Sequence, residues 1–163
     1  MRQLLFAPIP LCDESPLSLI KRTAIRHGYT SVDQFNAHYL PKIKNSNKVL
    51  IRNSALSISL AEAAPEYSEL IQSGFYLPST NLVMHPGAII NNILVPPNML
   101  RVAQYPLCTA CIEEGWERSF ANLRLTEVCP YHLKKYLSNC TQCHRRLSWR
   151  TQLTLTCKCG AIL

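Results

Sequence analysis

The chain has 163 residues, 47% of them apolar and 17% charged, and a formal net charge of +7. That length suits one medium domain or two small ones, and the apolar fraction is enough for a globular core. No stretch approaches the ~18 apolar residues of a membrane span, and residues 1–10, with one basic residue and apolar runs broken by Pro8 and Pro10, are not expected to serve as a secretory signal. A cytoplasmic protein with no membrane partner is the expectation.

Residues 1–12 read as extended, with apolar Leu4, Leu5, Phe6, Ile9 and Leu11. A helix start follows: Ser15 is the expected N-cap and Pro16 sits at the first helical position, where its missing N–H is harmless. Asp13 and Glu14 place negative charge near the helix's positive end. Leu17, Ile20, Ala24 and Ile25 are expected to face the core while Lys21, Arg22 and Arg26 stay in solvent, with Gly28 as the stop. A second helix begins at Ser31, places Val32, Phe35 and Tyr39 on one face and ends before Pro41. The pair forms a helix-turn-helix-like unit. Residues 41–53 read as a basic loop, Ala55–Ala64 as an apolar helix ended by Pro65, and Glu66–Ser73 as a short helix stopped by Gly74. Phe75–Tyr105 reads as irregular, with short strands around Leu82–Met84 and Ile89–Val95. Pro130 is expected to open a short helix carrying His132, Leu133 and Leu137, and the alternating run from Arg146 to Thr156 reads as a hairpin.

The last third holds two clusters of metal-type ligands. The first is Cys108-x2-Cys111-x17-Cys129-x2-His132 and the second is Cys140-x2-Cys143-x13-Cys157-x1-Cys159. Zn2+ takes four thiolate or imidazole ligands tetrahedrally, and two half-sites a short excursion apart close such a site with no open position. Two structural zinc ions are therefore expected. The competing reading is a disulfide framework, which a reducing compartment disfavours. Sequential pairing gives a site of three cysteines and one histidine and a site of four cysteines, whereas a cross-brace would interleave the half-sites; spacing alone leaves both open. Cys12 reads as a buried core thiol. His27, His38, His85 and His144 have no partner at ligand spacing, although His144 directly follows Cys143.

Residues 101–163 carry nine Lys/Arg against four Glu. Zn2+ with three thiolates sums to about −1 and with four to about −2, so the loaded chain is nearer about +4. That mildly basic balance fits contact with phosphate or an acidic protein face. The sequence has no Gly-rich phosphate loop, no Gly-x-Ser-x-Gly and no helical His-Glu-x-x-His, and His85 is followed by Pro86-Gly87 rather than by the glutamate of a zinc deaminase. Glu113 and Glu114 read as solvated helix-surface charge. No enzymatic activity is expected.

Several features occur together in one order. They are the Pro10–Ser15 entry, the basic helix ending in Gly28-Tyr29, the Phe35 helix, Cys-x2-Cys-Ile-Glu-Glu at 108–114, Glu127-Val-Cys-Pro-Tyr-His132, and the Cys140–Gly160 ribbon. In this order the chain resembles the TniQ/TnsD family of transposition target-selection proteins. The Val-Cys-Pro-x-His block followed by Cys-x2-Cys is the most specific element. The chain departs from the family in having Thr109 where a proline is common, and Trp116 out of register with the family's tryptophan before the third ligand. Many members continue past the ribbon, so a minimal member and the front part of a longer one are both open. The resemblance implies a non-enzymatic adaptor linking a TnsC-type AAA+ ATPase on DNA to target DNA or to an RNA-guided CRISPR effector complex. A second copy of the chain is a further possible partner.

The expected fold class is α+β, mainly α: a helix-turn-helix-like N-terminal part followed by two small zinc-finger or zinc-ribbon modules. The expected divisions are a helical domain at 1–100, with the helix-turn-helix-like unit at about 13–40, a first zinc finger at 101–139 and a second zinc ribbon at 140–163. The candidate ligands are Cys108, Cys111, Cys129, His132, Cys140, Cys143, Cys157 and Cys159. The candidate nucleic-acid or partner surface is Lys21, Arg22, Arg26, Lys134, Lys135, Arg145, Arg146, Trp149, Arg150 and Lys158; solvated charge and, for Trp149, core packing are the alternatives. An autonomous zinc-containing DNA-binding protein, such as a transcriptional regulator, is the rival function, and a zinc hydrolase is the remoter one.

Overall fold

The computed structural model describes residues 3–39, 50–79, 87–101, 106–148 and 155–163. Within them lie five α-helices and one antiparallel three-stranded sheet: α1 (Pro16–Arg26), α2 (Val32–Tyr39), α3 (Ala55–Ala63), α4 (Ser68–Ser73) and α5 (Thr109–Glu113), with β1 (Leu77–Ser79), β2 (Gly87–Ile90) and β3 (Ile93–Val95). The architecture is mixed, with more residues in helix than in strand. No described helix is long and apolar enough to cross a membrane.

Local chemistry places the N-terminal helices. The Ser15 hydroxyl accepts the Ser18 N–H, Pro16 opens α1, and Gly28, at φ 78°, closes it. Such a cap is worth about 1 kcal/mol. The Ser31 and Ser54 hydroxyls cap α2 and α3 in the same way, accepting the N–H groups of Gln34 and Ser57. Leu17, Ile20 and Ala24 of α1 meet Val32 and Phe35 of α2 and Leu56, Leu60 and Ala63 of α3 in one core. Each fully buried leucine or isoleucine contributes about 1.5–3 kcal/mol. Gly74 follows α4 at an ordinary φ of −79°. Its smallness is steric: a Cβ there would lie 2.4 Å from Leu19 Cδ2 and 3.1 Å from Pro10 Cγ.

Three sequence expectations need correction here. The strand expected around Ile89–Val95 is present but is two strands, β2 and β3, turned by Asn91-Asn92, and the described part of the Phe75–Tyr105 stretch is more regular than expected, because Leu77 pairs with Ile89 and Ile89 with Leu94. Both asparagines have positive φ, 49° and 62°, as a two-residue hairpin turn demands. Ile25 is 46% exposed and lines an open groove of about 320 Å3 with Ile112, Trp116 and Leu155. Lys21 is not in solvent but buried, its Nζ 2.9 Å from Glu117 Oε1. The expected strand at Leu82–Met84, most of the 41–53 loop and most of the Arg146–Thr156 hairpin lie outside the described residues.

The core continues into the cysteine-bearing part, because Leu100, Leu107 and Leu147 are buried with the N-terminal residues. A polar seam runs beside it. The Ser15 N–H donates to the Glu117 carbonyl at 2.8 Å, the Glu117 N–H to Ser18 Oγ at 2.9 Å and the Ser119 N–H to the Asp13 carbonyl at 2.7 Å. The start of α1 is thereby fastened to the loop that follows α5.

Candidate metal centres

Cys108 occupies the N-cap position of α5 and Cys111 lies on its first turn, so one short helix presents two sulfurs. The other half of this cluster is a tight turn rather than the helix expected after Pro130. Val128 and Lys135 form a bridge, the Cys129 N–H donates to the Lys134 carbonyl and the Leu133 N–H to the Cys129 carbonyl. Leu133 takes a left-handed φ of 54°, which ends any helix there, and Leu137 pairs with Leu107 instead. The second cluster repeats this turn. Asn139 bridges Arg146, the His144 N–H donates to the Cys140 carbonyl, and His144 has φ 56°. Its last half-site is one residue tighter. Thr156 bridges Ile162, and Gly160 at φ 88° fills the left-handed position that suits glycine.

The pairing left open by spacing is sequential. Cys108, Cys111, Cys129 and His132 have their ligand atoms within 4.8 Å of one another, and so do Cys140, Cys143, Cys157 and Cys159. His132 Nδ1 lies 3.5, 3.4 and 3.5 Å from the sulfurs of Cys108, Cys111 and Cys129. The Cys111–Cys129, Cys140–Cys159 and Cys143–Cys157 sulfurs are each 3.7 Å apart. These contacts are the edges of two four-cornered cages, and each could hold one metal ion. Burial and the neighbouring Cys108 push the Cys111 thiol well up. Burial also opposes ionisation of Cys129, yet the N–H groups of His132 and Tyr131 hold it down to about 7. The Cys143 N–H, with that of Gln142, holds Cys140 down to about 6.

The two centres differ in their surroundings. At the first, Cys108, Cys111 and Cys129 are buried, and His132 Nε2 lies 2.9 Å from Glu114 Oε1. The Glu114 carboxylate, through that bond and a 2.6 Å contact from Arg118, is held below the usual carboxylate range and raises His132 in turn. This bond fixes which ring nitrogen faces the sulfurs. Glu114 is thus the exposed surface charge expected of it, and it also orders a ligand. The Arg118 guanidinium sits 4.2 Å from the Trp116 ring centre and 4.1 Å from that of Tyr131. Tyr131 Oη donates to Asp13 Oδ2 at 2.5 Å, which pushes its phenol up to about 12. Nothing in the local pattern pointed to Glu117, Arg118 or Tyr131. At the second centre Cys143 and Cys159 are exposed, and no acidic residue follows Glu127 in the sequence.

Of the candidate surface residues, Arg26, Lys134, Lys135, Arg145, Arg146 and Lys158 are exposed. Arg22 is half-buried and bonded to Glu14 at 2.6 Å, and Lys21 is sealed inside. Trp149 and Arg150 lie outside the described residues. Cys12, expected in the core, is exposed, and among the described residues it belongs to neither cluster. No known protein-family profile matches the chain, and no curated protein is significantly similar to it.

Proposed function

We propose that the two cages hold structural Zn2+ and that the chain is a non-enzymatic adaptor of the TniQ/TnsD type. In this role it links a TnsC-type AAA+ ATPase on DNA to target DNA or to an RNA-guided effector. The ligand spacings carry the zinc part. A tetrahedron with sulfur at ~2.3 Å and nitrogen at ~2.0–2.1 Å from its centre has edges of about 3.8 Å between sulfurs and about 3.5 Å between sulfur and nitrogen. The observed edges are 3.7 Å and 3.4–3.5 Å. Four protein ligands complete each ion's coordination, leaving no corner for water or substrate, which supports a scaffold rather than a catalyst.

Exposed Lys134, Lys135, Arg145, Arg146 and Lys158, all within the cysteine-bearing part, support a phosphate-facing or acidic-partner-facing surface. The α1–α2 pair, read as a helix-turn-helix-like unit, contributes Arg26. Because those same cations suit autonomous DNA binding, a zinc-containing regulator is the second reading.

Co-sedimentation separates the two. The protein is spun with duplex DNA and the AAA+ ATPase that the adaptor reading expects to be encoded beside its gene, with and without ATP, and with DNA alone. Pelleting that requires both ATPase and ATP is the adaptor result. Pelleting with DNA alone, indifferent to the ATPase, would replace the adaptor reading with the regulator.

A further inference from the structure

The geometry points to the Cys140–Cys159 centre as a thiol-modification site: a hydroperoxide oxidises its exposed cysteines and the centre releases its metal, while the Cys108–His132 centre keeps its own. This rests on the metal reading above and not on the adaptor reading.

Access and environment both favour the second centre. Cys108, Cys111 and Cys129 are each no more than 2% exposed, whereas Cys143 and Cys159 both reach the surface. The bound thiolate is the nucleophile, so exposure decides which sulfur a small oxidant meets. Four thiolates around a divalent ion sum to about −2, against about −1 at the first centre, so the exposed sulfurs are also the more electron-rich. The first centre has an ordering partner outside its ligands, Glu114 on His132, with Arg118 closing on Glu114 from between two aromatic rings. Such outer partners are worth about 10–100-fold in metal affinity. At the second, among the described residues, the side chain outside the ligand set that lies beside an exposed sulfur is Gln142, with Oε1 3.9 Å from Cys159 Sγ.

The chemistry balances within the cage. Cys143 Sγ attacks one peroxide oxygen; an S–O bond forms, the O–O bond breaks and hydroxide leaves, giving a sulfenic acid. Cys157 Sγ, 3.7 Å away, attacks that sulfur; an S–S bond forms, the S–O bond breaks and a second hydroxide leaves. Two protons from solvent turn the hydroxides into water. The two cysteines lose two electrons and the peroxide gains them. An ion left with two sulfur ligands of four is released. Cys159 and Cys140, also 3.7 Å apart, can react in the same way.

The test uses the full chain loaded with zinc, its content measured first. Fewer than two equivalents at that stage would sink the metal reading itself. Hydrogen peroxide is then added in steps, zinc release is followed with an indicator dye, and cysteine oxidation is mapped by mass spectrometry. The expected result is one equivalent released at least about tenfold faster than the other. A disulfide among Cys140, Cys143, Cys157 and Cys159 accompanies it, while Cys108, Cys111 and Cys129 remain reduced. Exposed Cys12 oxidises too, but it holds no metal and the mapping separates it. Release of both equivalents at one rate, or oxidation beginning at Cys108, Cys111 or Cys129, would overturn the proposal.

Discussion

Removing one partner of the Lys21–Glu117 pair should destabilise the protein severely, whereas removing both should not. The pair spans 2.9 Å, with side chains only 7% and 4% exposed. At an effective dielectric of about 20 the attraction at that distance is about 6 kcal/mol, against a desolvation cost of several kcal/mol per ion. Burial pulls Lys21 down and Glu117 up, each toward its neutral form, and each partner's charge holds the other back. Lys21→Ala or Glu117→Gln breaks the pair while the other ion stays buried and should cost about 3–5 kcal/mol, a large part of the ~5–15 kcal/mol typical of a domain. Lys21→Met combined with Glu117→Leu should lie close to the parent or above it. It removes both ions and also Glu117 Oε2, a buried oxygen with no hydrogen-bond partner among the described residues, worth about 1–3 kcal/mol of penalty. Urea unfolding in excess Zn2+, followed by circular dichroism, reads this as a midpoint fall of about 1–4 M for each single variant and little for the double. Single variants costing under about 1 kcal/mol, the range of a surface pair, would refute the buried seam. So would a double variant as damaged as the sum of the singles.

Three further outcomes are expected. Glu114→Gln should lower metal affinity at the first centre by about 10–100-fold and leave the second unchanged; chelator competition on the loaded protein measures both, and equal weakening would deny Glu114 its ordering role. Tyr131 should ionise near 12 rather than about 10. Its folded value is raised, so the stabilisation from its bond to Asp13 is whole below about pH 10 and lost as pH rises through about 12. The difference in phenolate absorbance between the parent and Tyr131→Phe isolates that titration, and a midpoint near 10 would count against the bond. Leu133 is 82% exposed at φ 54°, so Leu133→Asn, which tolerates that backbone, should be neutral or stabilising by up to about 1 kcal/mol in thermal unfolding; a clear loss would mean that the leucine packs.

The ligand set was legible because a cage of this kind is built from short turns whose residues lie two or three apart. The starts of α1, α2 and α3 were legible for the same reason, since Ser15, Ser31 and Ser54 each act on a neighbour three residues on. What escaped was long-range. Lys21 sits on what periodicity marks as the wet face of an amphipathic helix, and its burial beside Glu117, 96 residues away, is a product of the fold. Arg118 and Tyr131 find each other and Asp13 through the fold alone. Cys12, read as core from its type, is exposed, and its residue type alone could not show that. The β2–β3 hairpin was half legible: strand was expected around Ile89–Val95, but the turn signal of Asn91-Asn92 between the apolar runs went unread among the nearby prolines.

The 96-residue gap between Lys21 and Glu117 also sets a schedule for the growing chain. At about 5–20 residues per second, the ribosome makes α1 roughly 5–20 s before its counterion exists. Throughout that interval Lys21 must remain hydrated, and the front of the molecule waits for a piece synthesised near the end. Translation stalled before residue 117 would leave a nascent chain whose first helix can meet α2 and α3 through Leu17, Ile20 and Ala24 but lacks the Glu117 loop that closes over Lys21.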